Sequence, residues 1–435
     1  MTATTKQRSR GWMWGVCDRQ LTSREAWMSF TVLFIFGFVS IFGLIRVGPV
    51  LTIVGAEFGF DLAGVGIIQT AFTAAGIILA FPGAWIMRNF GIKRTTIIAC
   101  LLSLLGAAQG IWATGGPEAI LFSRVLEGIG AGFIMIIGPN VCTRIFPQAR
   151  QGIAMAIWSL WAPAGVFLSL FLAPYLNEFF GWRSLWVVSA VAYAVCLVLA
   201  LAFFKLPKTN ENELALEQAQ KQDSATVKPD VRSAVVMALS FIFWCFCFGG
   251  CVNSFYSTFL VEAKGLSVYD AGFLPSLISL FTLPLGIIAG VISDKVGTRK
   301  WFVVIPYFVL AIVMAFCAWI EGPEMESVYI FIIIMSLLSA TIPMGTRAAV
   351  PQYAKDPRLT DYALAAMGFV TNIGIGCAVV FGSVVAAIGW QNAGLYLVAP
   401  AALLAGVITL AFCKNDLVKK NAKGAAGDAG NAAKK

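Results

Sequence analysis

Long apolar runs, separated by short polar stretches, cover most of the chain. Twelve of these runs are long enough to cross a bilayer, which takes about 17 to 25 helical residues. They lie at residues 27–54, 62–87, 95–114, 118–143, 152–176, 182–204, 232–260, 267–292, 301–320, 327–347, 362–388 and 392–413. All must be helices, because open backbone cannot sit in hydrocarbon and the weak alternating pattern of a lipid-facing barrel is absent. The pattern predicts an all-α membrane protein with twelve transmembrane helices.

The composition agrees with this interpretation, since 59% of the 435 residues are hydrophobic and only 12% are charged, against about 25% charged in an ordinary soluble domain. The net charge of +9 does not indicate a nucleic-acid partner, because Lys and Arg gather at alternate ends of the spans. Under the positive-inside rule both termini are cytoplasmic, and the protein lies in the cytoplasmic membrane. The first span is too long for a signal peptide and lacks a cleavage site, so we expect it to be retained.

The one long polar stretch between spans divides the chain into two halves. We expect a cytoplasmic tail at 1–26, a six-helix bundle at 27–204, a cytoplasmic linker at 205–231, a second six-helix bundle at 232–413 and a disordered tail at 414–435. The halves resemble each other, since Ala84–Arg94 aligns without a gap with Gly290–Lys300, 206 positions later. Such repeats are typical of transporters that bind substrate between two pseudo-symmetric bundles.

Arg46 stands in an otherwise apolar run, and ten uncharged residues separate it from Glu57. A charge at such a depth costs from about 2.5 to well over 10 kcal/mol, so it normally faces a cavity or a partner. The fourth span carries Arg124 and Glu127, three residues apart and therefore on one helix face. At 1.5 Å per residue all three lie about 9 to 13 Å below the outer end of their spans. The sequence thus predicts an anion site formed by Arg46 and Arg124, with Glu127 beside it.

The segment Gly290–Lys300 resembles the cytoplasmic loop motif of major facilitator superfamily transporters, and Arg124 with Gly128 resembles the family's fourth-span signature. The resemblance implies two six-helix bundles, alternating access, and a conformational latch. The latch residues would be Gly290, Asp294, Gly297 and Arg299. In this family the first, fourth, seventh and tenth helices line the central cavity.

A narrower resemblance concerns anions. Arg46, followed by Val-Gly-Pro49, and Arg124 are similar to the paired arginines of the family's organic-anion symporters, and Arg46 also resembles the cyanate and nitroimidazole porter branch. That resemblance implies a carboxylate held between two guanidiniums. Ile45 and Ala131 stand where related symporters carry acidic residues, so Glu127 is the carboxylate left to couple transport to protons. We expect further substrate contacts from Asn253 and Tyr256 in the seventh span and from Asn372 in the eleventh.

Each expectation has a structural alternative. Arg46 can reach the interface with its long side chain, Arg124 and Glu127 can form an ion pair within one helix, and the neutral polar residues can hold helices together. Cys245, Cys247 and Cys251 cluster in the seventh span, but the chain has no histidine to complete a mixed metal site, and we expect no metal. We also expect no cofactor, and we do not expect ATP to be the energy source, because no phosphate-cradling Gly-x-x-x-x-Gly-Lys-Ser/Thr motif is present.

The leading hypothesis is a monomeric secondary transporter, not an enzyme, that moves a small organic anion, with protons as coupling ions and the lipid bilayer as its surroundings. One alternative is a proton-coupled antiporter that exports drugs or other apolar compounds, which substrate charge would distinguish. A non-transporting membrane receptor or sensor is the alternative from another class.

Overall fold

The computed structural model describes residues 16–17, 21–80, 82–207, 230–296, 298–354 and 357–414. Residues 1–15 and 415–435, and most of the expected linker, lie outside this described part, so the prediction of a disordered C-terminal tail is not addressed. Val16–Cys17 (β1) pairs in parallel with Leu206–Pro207 (β2), which joins the start of the chain to the end of its first half.

Helices account for nearly all of the described chain. In the first half they are Ser23–Ile45, Leu51–Glu57, Ile67–Leu79, Pro82–Phe90, Ile92–Ile111, Pro117–Ile145, Gln148–Ser159, Trp161–Phe180 and Arg183–Phe203. In the second half they are Val231–Trp244, Asn253–Glu262, Val268–Val296, Trp301–Phe316, Glu326–Ala354, Pro357–Gly376, Ala378–Ile388, Trp390–Ala393 and Ala399–Phe412. Two π-helical segments, Cys245–Val252 and Gly394–Val398, connect helices of the second half.

These helices form twelve spans, numbered here in chain order. Ten segments of the described chain are long and apolar enough to cross a membrane by themselves, and Ile67–Leu79 and Trp301–Phe316 are shorter apolar helices that supply the second and ninth spans. In the second span one helix ends at Leu79 and the next begins at Pro82, in keeping with a proline that cannot extend the preceding helix. The predicted all-α membrane fold is confirmed.

The first span is broken two-thirds of the way along. Its first helix ends at Ile45, and the chain continues through a 3-10 turn at Gly48–Val50 before the helix resumes at Leu51. Pro49 has no N–H to donate to the carbonyl of Ile45, so the ladder of hydrogen bonds cannot continue through it. The break leaves carbonyl groups at the end of the first helix without helical donors.

The two bundles meet along two pairs of spans. The second span packs against the eleventh, and the fifth packs against the eighth. In the second pair the rings of Tyr175 and Tyr269 lie 4.7 Å apart. The fourth and tenth spans have their main neighbours within their own bundles.

We call the membrane side that holds Ser23, Phe203 and Asp230 the linker face, and the opposite side the distal face. The bundles close on each other towards the distal face. A Cβ atom on Gly48 would lie 2.5 Å from the backbone oxygen of Asn253. In the same region the hydroxyl of Thr70 donates 2.6 Å to the carbonyl of Gly376, and Ser383 donates 3.1 Å to that of Ala63. In this structure the route between the bundles is shut at the distal face.

A buried lysine caps the last helix of each half at the linker face. Lys300, at the start of the ninth span, donates 2.7 Å to the carbonyl of Leu410 and 2.6 Å to that of Cys413. Lys93, at the start of the third span, donates 3.4 Å to the carbonyl of Leu201. Cations are favoured at helix C-termini, where carbonyls lack helical partners.

Candidate functional site

Arg46 and Glu127 form a buried ion pair between the first and fourth spans. Arg46 Nη2 lies 2.6 Å from Glu127 Oε1. The second terminal nitrogen, Nη1, donates a short hydrogen bond to the hydroxyl of Ser189 in the sixth span, and the guanidinium stands 4.2 Å from the ring centroid of Trp186. Its Nε makes no hydrogen bond. The Nε–H of Arg46 is therefore left without an acceptor.

Arg124 is bound mainly by backbone. It donates 2.7 Å to the carbonyl of Gly43, 3.0 Å to that of Leu44 and 3.4 Å to that of Ile68. Gly43 and Leu44 belong to the last turn of the helix that breaks at Ile45. Arg124 thus supplies the donors that the broken helix lacks, and its contact with Glu127, at 3.4 Å, is longer than that of Arg46.

The three charged side chains are enclosed. Arg46, Arg124 and Glu127 each have 0% of their surface exposed. Trp186 and Tyr193 of the sixth span cover them on the side away from the second bundle: Trp186 donates 3.1 Å to Ser123, and the Tyr193 hydroxyl lies 3.4 Å from the carbonyl of Val39. Two guanidiniums share one carboxylate, which leaves one positive charge in excess. The structure brings the three predicted residues together, but inside the first bundle, with none of their surface open to the route.

The neutral residues expected at the site are distributed differently. Asn253 is 7% exposed and contributes the backbone oxygen that meets Gly48 at the distal closure. Asn372 is 8% exposed; it donates 3.0 Å to the carbonyl of Gly368 and packs against Gly76 of the second span. Both therefore lie where the two bundles meet.

Tyr256 lies inside the second bundle. It has 0% exposure, and its ring lies 4.6 Å from Phe331, 5.3 Å from Trp319 and 5.5 Å from Phe259. Its hydroxyl makes no hydrogen bond, and neither does the indole N–H of Trp319. This aromatic cluster occupies the core of the second bundle, as the charged group occupies that of the first.

The structure describes only part of the expected latch. The side chain of Asp294 and the whole of Gly297 lie outside the described residues. Gly290 has open space where a Cβ would stand, and Arg299 Nη1 approaches the sulfur of Met344 at 3.4 Å. The role of these residues stays a prediction. Among the described residues, no group of three or more Cys, His, Asp or Glu side chains could hold a metal ion.

Sequence reasoning missed Arg347, because it ended the tenth span at this residue. The helix continues to Ala354, so Arg347 lies within it, exposed to solvent. A signal was present: the residues that follow, Ala-Ala-Val-Pro351, are apolar and do not begin a loop. Ser189 and Trp186 were also missed, although with Tyr193 they repeat at intervals of three and four residues on one face of the sixth span.

Comparison with known proteins places this geometry in a family. The chain is 27% identical over 402 residues to the probable galactarate/D-glucarate transporter GudP of Bacillus subtilis (strain 168), covering 84% of this chain and 87% of that protein. It is 24% identical over 315 residues to the probable galactarate/D-glucarate transporter GudP of Escherichia coli (strain K12), covering 62% and 69%.

Solved structures share the fold. A D-xylose-proton symporter superposes with a TM-score of 0.73 at 15% identity, covering 89% of this chain and 98% of that one. A POT family transporter in complex with 5-aminolevulinic acid superposes with a TM-score of 0.70 at 15% identity, covering 92% and 98%. The family model described as Major Facilitator Superfamily matches residues 33–323 and 250–434. The chain is therefore a multi-pass membrane transporter that belongs to the Major Facilitator Superfamily.

Proposed function

We propose that this chain is a secondary active transporter that moves a polyhydroxylated dicarboxylate of the galactarate or D-glucarate type by alternating access, coupled to protons. The observation that carries this proposal is the group in which Arg46 and Arg124 share the single carboxylate of Glu127. Its surplus positive charge suits an anion, because guanidiniums bind carboxylates through paired donors. The names of the two curated relatives support the substrate class.

Arg46 is the arginine better suited to meet the substrate. Arg124 donates mainly to backbone carbonyls, whereas the Nε–H of Arg46 has no acceptor. Arg46 also follows directly on the helix that ends at Ile45. Gly48, two residues further on, forms the distal closure against Asn253. When the bundles separate there, the segment that bears Arg46 loses this support and opens towards the route. A substrate carboxylate can then replace Glu127 as the partner of Arg46.

Glu127 would carry the proton in this cycle. While the site is empty, the ionised carboxylate neutralises the two arginines; once an anion binds Arg46, protonation of Glu127 removes the repulsion between two neighbouring negative charges. Proton and anion then travel in the same direction. The family precedent for paired arginines and the absence of histidine from the chain both favour a carboxylate in this role.

We assign the linker face to the cytoplasm and the protein to the cytoplasmic membrane. Lys93, Arg94, Lys295 and Lys300 lie at the linker-face ends of their spans, whereas Glu57, Glu262 and Glu321 lie at the distal ends. The positive-inside rule gives this orientation. We further propose that the transporter works as a monomer, since each chain contains both bundles.

Uptake into proteoliposomes tests the function. Purified protein should accumulate labelled galactarate or D-glucarate when a proton gradient is imposed, and should not accumulate galactitol, which has the same carbon skeleton without charge. Glu127→Gln should retain counterflow of the diacid but lose uphill uptake. Transport of a cation or of apolar drugs in place of the diacids would instead favour the antiporter alternative. Gradient-driven uptake at wild-type rates by Glu127→Gln would reject the coupling scheme.

A further inference from the structure

Arg347 is an unpaired cation in the second bundle. It is exposed, and within the described part of the chain it forms no ion pair or hydrogen bond. Its guanidinium stands 5.7 Å from the ring centroid of Phe241, and the thiol of Cys245 is near it. A cation inside a membrane span normally faces a water-filled space or a partner. The guanidinium of Arg347 therefore contacts water or binds an anion at some stage of the transport cycle.

The direction of the side chain points to the route between the bundles. Gly345 of the same helix packs against Val303 of the ninth span, and positions two residues apart on a helix are rotated by about 200°. Arg347 therefore faces away from the ninth span, whose main neighbours are the tenth and twelfth spans of its own bundle. It faces instead towards the seventh span, which lies across the route from the first bundle.

Arg347 lies in the half of its span nearer the linker face, since 21 residues, or about 32 Å, separate it from Glu326 at the distal end of the same helix. The seventh span begins at Val231 on the linker face, so Phe241 and Cys245 lie about 15 and 21 Å along it. The hydrocarbon core is about 30 Å thick. An exposed guanidinium between these two residues is reached by water through the linker-face side, because the distal side is closed by Gly48 and Asn253.

No described carboxylate can neutralise it from the elements around it. In the tenth span the only acid is Glu326 and in the seventh it is Glu262, each at the distal end. The ninth and twelfth spans carry none. The eighth span has Asp270 at its distal end, and the side chains of Asp294 and Asp361 lie outside the described residues.

We propose that Arg347 forms a second anion site, on the cytoplasmic side of the route, which holds a carboxylate of the substrate before its release. This inference rests on the proposed function. The two sites differ in accessibility. With the distal face shut, the side chain of Arg46 is fully buried, whereas that of Arg347 is exposed in the same structure. A substrate that leaves Arg46 therefore finds its next cationic partner in the opposite bundle, nearer the cytoplasm.

The test compares the two faces of the membrane. In vesicles of known orientation, made from phosphatidylcholine so that no anionic headgroup competes, the half-saturating galactarate concentration is measured from each side. Arg347→Gln should raise it about tenfold on the cytoplasmic side, as expected for loss of one charged hydrogen-bonding partner, and change it less than twofold on the distal side. Arg347→Lys should lie between, because an ammonium cannot grip a carboxylate with two parallel donors.

Arg232→Gln is the matched control. Arg232 is an exposed cation at the same face, set against the ring of Phe412 in the twelfth span and away from the route. Its loss should leave both half-saturating concentrations unchanged. Equal effects of Arg347→Gln on both sides, or none, would overturn the proposal; should that variant fail to fold, Arg347→Lys gives the same comparison. If vesicles that contain the wild-type protein do not transport the diacid, the proposed function is rejected, and this site is rejected with it.

Discussion

Arg124 donates a 2.7 Å hydrogen bond to the backbone carbonyl of Gly43, across the interface of the fourth and first spans. A second bond, of 3.0 Å, reaches Leu44. These carbonyls end the helix that Pro49 prevents from continuing. A side chain from a neighbouring helix thus completes the cap that the first span cannot make for itself, and it fixes the position of Arg46, one residue beyond the helix.

Replacing Arg124 should destabilise the protein strongly. Arg124→Gln leaves two buried carbonyls and part of Glu127 without a donor, and breaking a buried charged pair costs about 3 to 5 kcal/mol. We expect a marked fall in the thermal unfolding temperature in detergent, and Arg124→Lys should restore only part of it. Arg24→Gln, which removes an exposed cation near the start of the first span, is the control. Unfolding temperatures of Arg124→Gln and Arg24→Gln that agree would contradict the capping role.

Gly48→Ala should hold the distal face open. Its Cβ would lie 2.5 Å from the backbone oxygen of Asn253, and backbone cannot move aside as a flexible side chain can. We expect transport to fall at least tenfold while the protein still folds, and a cysteine at Ser383 to react faster with an impermeant maleimide applied from the distal side. Gly286→Ala, a helical position with open space, should change neither. Unaltered labelling in Gly48→Ala would argue against closure at this point.

Tyr256→Phe should leave stability unchanged or slightly higher. The hydroxyl of Tyr256 is buried without a hydrogen bond, and a polar group in that state destabilises the folded protein. Tyr307→Phe is the matched control, because its hydroxyl donates 2.8 Å to the carbonyl of Ser240 and its loss should cost about 1 kcal/mol. Transport by Tyr256→Phe should match the wild type; a large rise in its half-saturating substrate concentration would show that Tyr256 meets the substrate in another conformation.

Asp230 should contribute stability that acid removes. It caps the helix that starts at Val231 by accepting hydrogen bonds from the backbone and hydroxyl of Ser233. Partial burial raises the pKa of this carboxyl. The hydrogen bonds from Ser233 and the charge of Lys414 lower the pKa by more than burial raises it, so the pKa in the folded protein is below the ordinary value. The contribution is therefore present above about pH 4, the ordinary value, and is lost as the pH falls through the folded pKa.

The measurement is the unfolding temperature from pH 7 down to pH 3. Asp230→Ala should lower it at pH 7, by an amount that corresponds to about 1 kcal/mol for a lost cap, and the difference from wild type should shrink as the solution is acidified. Glu178→Gln, an exposed carboxylate, should differ little from wild type throughout. If the unfolding temperature of Asp230→Ala fell further below that of the wild type as the pH was lowered, the assigned sign would be wrong.

The helical architecture could be predicted from the sequence because the bilayer allows few alternatives. Apolar runs such as 95–114 and 182–204 must be helices in lipid, and the structure has Ile92–Ile111 and Arg183–Phe203 there. The second and ninth spans came out shorter than expected, since Pro82 interrupts one and the other ends at Phe316. Depth in the membrane could also be predicted by counting residues along each helix. Arg46 and Glu127, which this count places at similar depth, are in contact.

Direction around the helix was harder to predict. Family resemblance suggested that Arg46 and Arg124 face the route, whereas both are enclosed in this conformation. Polar residues on one face do not reveal whether they meet water or another helix, because buried partners such as Ser189 and the carbonyl of Gly43 come from distant parts of the chain. Arg347 was overlooked for the opposite reason, as its helix extends beyond the apolar run.

Lys93 and Lys300 have a consequence for how the chain is held together. Each belongs to the same half as the helix end it binds, Leu201 in one case and Leu410 with Cys413 in the other. Neither bond crosses the linker. Each half therefore secures its own last helix, and a break in the chain between residues 207 and 230 would remove none of these bonds.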